Sequence, residues 1–144
     1  NLTYPNPQPA TEAQFSLHFA IAAIIEYGDI KLEHLTTEMV TSAPIKRLLP
    51  KINVKVGDIP EQYRSSRLIC PEWGYVELTT QAGDRKCSFA GSPLGSALRP
   101  MSDEVLKKKF NACAKFSNVK GSASELYDKI LNVELLTNTR ELFS

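Results

Sequence analysis

His18 and His34 are the only side chains in this sequence that titrate near neutrality without a large perturbation, so any acid/base chemistry would begin with them. His18 falls inside a helical segment beside Ser16, where such a residue more often sits on the open side of the helix than acts as a base. His34, in Lys31-Leu32-Glu33-His34-Leu35, occupies a charged stretch that should face solvent. No Cys/His pair or Ser/His/Asp triad can be built by spacing alone, and the carboxylates are scattered rather than paired. The Gly-rich signatures of nucleotide sites, the H-E-x-x-H zinc helix and the G-x-S-x-G elbow are all missing, which excludes the common enzymes that carry them. Cys70, Cys87 and Cys113 are odd in number and lie far apart, with no C-x-x-C pair to chelate zinc or exchange disulfides. They read as reduced, mostly buried thiols of a cytoplasmic protein.

The elements that would have to position any chemistry come from a chain of 144 residues, 42% hydrophobic and 23% charged, close to the averages of a single folded domain. Seventeen basic against sixteen acidic residues leave a net charge of +1, spread evenly along the chain. Neither a nucleic acid nor an anionic membrane is therefore expected as the main partner, because each demands a basic face. Lys107-Lys108-Lys109 is the only run of like charge, and three consecutive residues fan around most of a helix. No window approaches the roughly 18 consecutive apolar residues of a membrane helix. The chain does not begin with Met, so it is expected to be a piece of a longer protein. Asn1-Leu2-Thr3 fits the glycosylation pattern, but nothing else points to secretion.

Pro5, Pro7 and Pro9 force an extended opening, and Thr11-Glu12-Ala13-Gln14 has the form of a capping box. A helix over 12–27 should follow, apolar on nearly all sides and stopped by Gly28 in the left-handed conformation. Two short helices are expected from Leu32 to Leu49, the second entered through Ser42 with Pro44 in its first turn. Ile52-Asn53-Val54-Lys55-Val56 alternates apolar and polar with period 2, the mark of a half-buried strand. Segments 73–80 and 85–90 flank Gln81-Ala82-Gly83-Asp84 as a hairpin. After the Gly/Pro/Ser loop 91–100 the character turns helical: Ser102 caps a helix, Ser122-Ala123-Ser124-Glu125 has the form of a second capping box, and Asn138 caps a last short helix. Runs of strands and runs of helices without alternation indicate an α+β fold, with an antiparallel sheet of 52–56, 73–80 and 85–90 and the 12–27 helix packed on it.

The stretch Pro9-Ala10-Thr11-Glu12-Ala13-Gln14-Phe15-Ser16-Leu17-His18-Phe19 resembles the MmgE/PrpD family, in which a Pro-containing loop leads into a helix that begins Glu-Ala-x-Phe-Ser. Gly28, the helices through Ile45-Lys46-Arg47-Leu48-Leu49 and the 52–56 segment fall in the family's order. Gly91-Ser92-Pro93 and Leu98-Arg99-Pro100-Met101-Ser102-Asp103-Glu104-Val105-Leu106 through Phe110 are similar to its Gly-x-Pro and Pro-[Leu/Met]-Ser segments, and Val133-Glu134-Leu135-Leu136 to its closing Leu-Glu-x-Leu.

This resemblance implies the C-terminal third of a two-part protein with its active site in a crevice. Residues 1–100 would form an α+β lid, and 101–144 would be helices that return to an N-terminal helical domain missing from this chain. It implies dehydration, decarboxylation or epimerisation of a small polycarboxylate by proton transfer, as in 2-methylcitrate dehydratase, cis-aconitate decarboxylase and iminodisuccinate epimerase, with no metal or organic cofactor. Tyr4-Pro5-Asn6 is similar to the Tyr-x-Asn segment of the decarboxylase branch, which makes Tyr4 the catalytic candidate, an acid at neutral pH. Ser16, Ser92 and Arg99 are the substrate-binding candidates, Arg99 through bidentate contact with a carboxylate. The expected setting is a cytoplasmic homo-oligomer with no nucleic acid or membrane partner. The alternative is a stand-alone, non-catalytic binding or regulatory module that keeps the lid fold.

Overall fold

In a computed structural model of the chain, residues 4–66, 69–117 and 121–143 are described; the Asn1-Leu2-Thr3 tripeptide lies outside them. Contacts cluster into two compact units, Asn1–Gly57 and Asp58–Ser144. The fold is α+β: the described residues form mixed helices, a two-stranded antiparallel sheet and further helices toward the C-terminus.

In the first unit the 12–27 helix is split in two. α1 (Ala10–Ala13) starts after Pro9 with no side-chain cap, so the Thr11–Gln14 capping box does not form. The chain breaks at Ser16, whose extended backbone and hydroxyl cap α2 (Leu17–Tyr27) by accepting from the Phe19 amide at 3.0 Å. Gly28 ends α2 as expected: at φ 77° it lets its own amide donate to the Ile24 carbonyl at 2.9 Å, a conformation that costs other residues more. α3 (Thr37–Val40) is capped by the Thr36 hydroxyl. α4 (Ala43–Leu48) starts after Ser42 with Pro44 in its first turn and runs into a 3₁₀ turn at Leu49–Lys51.

Ala13, Phe19, Ala22, Ala23, Val40, Ile45 and Leu49 form the buried cluster of this unit. α2 gives it one side only. Ile24 and Ile25 are exposed, as is Phe15 just before the helix, so α2 is not buried all round. His34 is also a correction. It is buried, not solvent-facing, because its ring packs against Tyr27 at 4.6 Å between centroids and its Nδ1 accepts from the Lys31 amide at 3.2 Å.

The segment 52–56 forms no strand. Period-2 alternation marks a face but supplies no ladder partner, and Val54 and Val56 stay exposed. The sheet is therefore a single hairpin in the second unit: β1 (Gly74–Thr79) pairs antiparallel with β2 (Arg85–Ala90), Tyr75 opposite Phe89 and Glu77 opposite Cys87. Gly83 at φ 91° shapes the predicted turn, and the Thr80 hydroxyl accepts from the Asp84 amide at 3.1 Å. One face gathers aromatic rings: Tyr63 stacks on Phe89 at 4.3 Å, with Tyr75 and Trp73 about 6 Å away. Val76 and Leu78, on the other face, remain exposed.

α5 (Asp103–Phe116) is capped by Ser102 and α6 (Ala123–Leu131) by Ser122, as their sequences predict. The two helices meet through the Phe110 and Tyr127 rings, edge to face at 5.2 Å, and through an ion pair of Lys107 with Asp128 at 3.2 Å. The Asn138 side chain accepts from the Arg140 amide at 2.9 Å and starts a 3₁₀ turn at Thr139–Phe143. All three cysteines are free, and none is fully buried: Cys70 is half-buried, and Cys87, on the same face of the hairpin as Tyr75 and Phe89, and Cys113 are exposed.

Candidate functional site

Of the four residues picked out from the sequence, Tyr4 and Ser16 stand together in the first unit. The Ser16 hydroxyl donates to the Tyr4 carbonyl at 2.5 Å while it accepts from the Phe19 amide. Ser16 is 2% exposed, so its bond with the Phe19 amide is shielded from water and counts for more than it would on the surface, while the bond to the Tyr4 carbonyl is part-buried. One side chain therefore starts α2 and pins the extended Tyr4-Pro5-Asn6 segment to it. The Tyr4 ring itself is 41% exposed and its hydroxyl is not held by any hydrogen bond among the described residues.

Beside this segment lies a depression of about 480 Å³. Its polar lining is Asn6, His18 and Lys46; Pro5, Leu49, Pro50 and Ile52 supply apolar walls. No Asp or Glu takes part. α2 carries His18 two residues past its cap, α4 carries Lys46, and the prolines hold the opening segment extended across them. His18 Nδ1 is buried with no hydrogen-bond partner, which leaves Nε2 as the ring nitrogen that can meet a ligand. Lys46 has no ion pair among the described residues, in contrast to the adjacent Arg47, which pairs with Glu26 at 3.5 Å.

Ser92 and Arg99 belong to the loop that follows β2 in the second unit. Ser92 is buried at 4% exposure. Arg99 is exposed and without an ion pair among the described residues. Its backbone is well held: the Arg99 carbonyl accepts from the Gly95 amide at 2.7 Å and the Arg99 amide donates to the Ser96 carbonyl at 3.0 Å. A tight loop thus presents a free guanidinium.

No group of three or more His, Cys, Asp and Glu side chains that could hold a metal occurs among the described residues. No helix there is long and apolar enough to cross a membrane.

The model of the MmgE/PrpD C-terminal domain matches residues 2–133, nearly the whole chain. The chain belongs to the MmgE/PrpD family and represents its C-terminal domain. No curated protein matches it.

The sequence does not mark Lys46, and it places His18 on the open side of its helix rather than at a site. The usable signal was indirect. A segment similar to Tyr-x-Asn had to lie near the start of the helix that carries Ser16, and a histidine two positions on in that helix was the residue most readily placed beside it.

Proposed function

We propose that this domain is part of a lyase or isomerase that dehydrates, decarboxylates or epimerises a small polycarboxylic acid by proton transfer. The observation that carries this reading, beside the family, is the Ser16 bond to the Tyr4 carbonyl, which fixes the segment bearing a free phenol. Proton transfer depends on a donor held in place.

In this reading Tyr4 delivers or relays the proton. Ser16 positions Tyr4 through the backbone. On the Gly91–Pro100 loop of the second unit the exposed Arg99 guanidinium is suited to a carboxylate, while Ser92 is buried. Residues 1–100 act as the lid and 101–144 dock on an N-terminal helical domain, which brings the remaining acid/base groups. The enzyme works as a cytoplasmic homo-oligomer and needs no metal or organic cofactor.

A second reading, a non-catalytic binding module, draws support from the buried cluster that residues 13–49 form among themselves. An assay separates the two. Purified alone, the 144-residue chain should turn over neither 2-methylcitrate nor cis-aconitate, since a single Tyr cannot serve both proton steps. The gene product that also contains the helical domain should be active, and Tyr4→Phe in it should lower kcat by about 10²–10⁴-fold. An active Tyr4→Phe enzyme would remove Tyr4 from the chemistry. A complete gene product with no helical domain would establish the binding module.

A further inference from the structure

We propose that the depression beside Tyr4-Pro5-Asn6 is a binding site for one carboxylate of a small organic acid, with the Lys46 ammonium as countercharge and His18 Nε2 and the Asn6 amide as hydrogen-bond partners. The inference rests on the function proposed above and adds a site to it.

Charge points to an anion. The only formal charge on the lining is that of Lys46, no carboxylate competes for it, and it has no ion pair among the described residues. The ammonium is exposed, so an ion pair there depends on further contacts to gain strength. Those contacts are at hand. Asn6 and His18 line the same depression.

Size and wall chemistry narrow the ligand. About 480 Å³ lies within the range of small-molecule sites. Leu49 and Ile52 give the acid's carbon chain an apolar wall, which a bare inorganic anion would not use. A carboxylate on a short carbon skeleton satisfies both the cation and the wall.

The test is NMR titration of the 144-residue chain with citrate, and with inorganic phosphate at matched ionic strength. Citrate should shift the His18 ring and Lys46 side-chain signals saturably, and Lys46→Met and His18→Gln should each weaken that binding at least about tenfold while circular dichroism stays unchanged. Tenfold corresponds to about 1.4 kcal/mol. Citrate shifts that persist in Lys46→Met, or phosphate shifts of equal size and affinity, would overturn the site. Failure here is distinct from failure of the proposed function. A helical-domain-containing enzyme whose kcat and KM ignore both substitutions disposes of the groove alone, whereas citrate binding in the groove of a protein without lyase or isomerase activity retains the groove and disposes of the function.

Discussion

The Ser16 hydroxyl donates to the Tyr4 carbonyl across twelve residues of sequence and accepts from the Phe19 amide three residues on. A single hydroxyl therefore both starts α2 and decides where the proline-rich opening lies. Removing it deprives the buried Phe19 amide and the Tyr4 carbonyl of their partner at once.

Ser16→Ala should cost about 1–2 kcal/mol, the range of a lost N-cap with an added part-buried hydrogen bond. Urea unfolding followed by circular dichroism measures it. Ser16→Thr should recover part of the loss, since its hydroxyl can make the same two bonds. A Ser16→Ala chain as stable as the parent would show that neither bond matters to the fold.

The cap was hidden in the sequence because a better-looking one preceded it. Thr11 with Gln14 has the spacing of a capping box, yet Pro9 already fixes an extended approach and α1 begins at Ala10 without a side-chain cap. Where the deciding chemistry is local, the reading and the structure agree. Ser102 and Ser122 each accept from an amide three residues on, Gly28 turns left-handed, and Gly83 closes the hairpin. Where it is nonlocal they part. Nothing near Val54 says that it lacks a ladder partner, and nothing near His34 says that Tyr27 will cover it. The groove is the extreme case, since its lining comes from positions 5–6, 18 and 46–52, which share no period or motif.

Tyr75 should ionise above the usual phenol value of 10.0. The first cause is its hydrogen bond with the Cys87 side chain, followed by partial desolvation and the neighbouring Cys87 and Glu77 charges. The contact favours the neutral phenol, so whatever it adds to stability is present below the ordinary tyrosine pKa and is lost as pH rises through the raised one. Spectrophotometric titration of phenolate absorbance, with Tyr75→Phe as the difference reference, isolates this group from the other tyrosines. Cys87→Ala should move the midpoint down toward the ordinary value. No movement would show that the thiol is not the cause.

The helices after Met101 leave Val105, Leu106, Phe116, Ile130 and Leu131 exposed, although α5 and α6 cover each other through Phe110 and Tyr127. A continuous patch of more than a few hundred Å² is unusual on a stable monomer. The isolated chain should therefore self-associate, with an apparent mass that rises over a concentration series in light scattering. Leu106→Lys with Leu131→Lys should abolish the rise. A parent chain at the monomer mass throughout would show that these side chains do not drive association.

Packing is distributed unevenly along the chain, and this grades its resistance to local opening. A cluster of seven buried apolar side chains lies within residues 13–49, whereas both hairpin strands are largely open to solvent. Amides protected by deep packing exchange their hydrogens only when that packing opens, so Ala22 to Ile25 in α2 should be among the slowest to take up deuterium and the β1–β2 amides among the fastest of the hydrogen-bonded set. The tie from Ser16 to Tyr4 is thereby fastened to the most durable stretch of backbone, and the phenol's position should outlast fluctuations that open the hairpin.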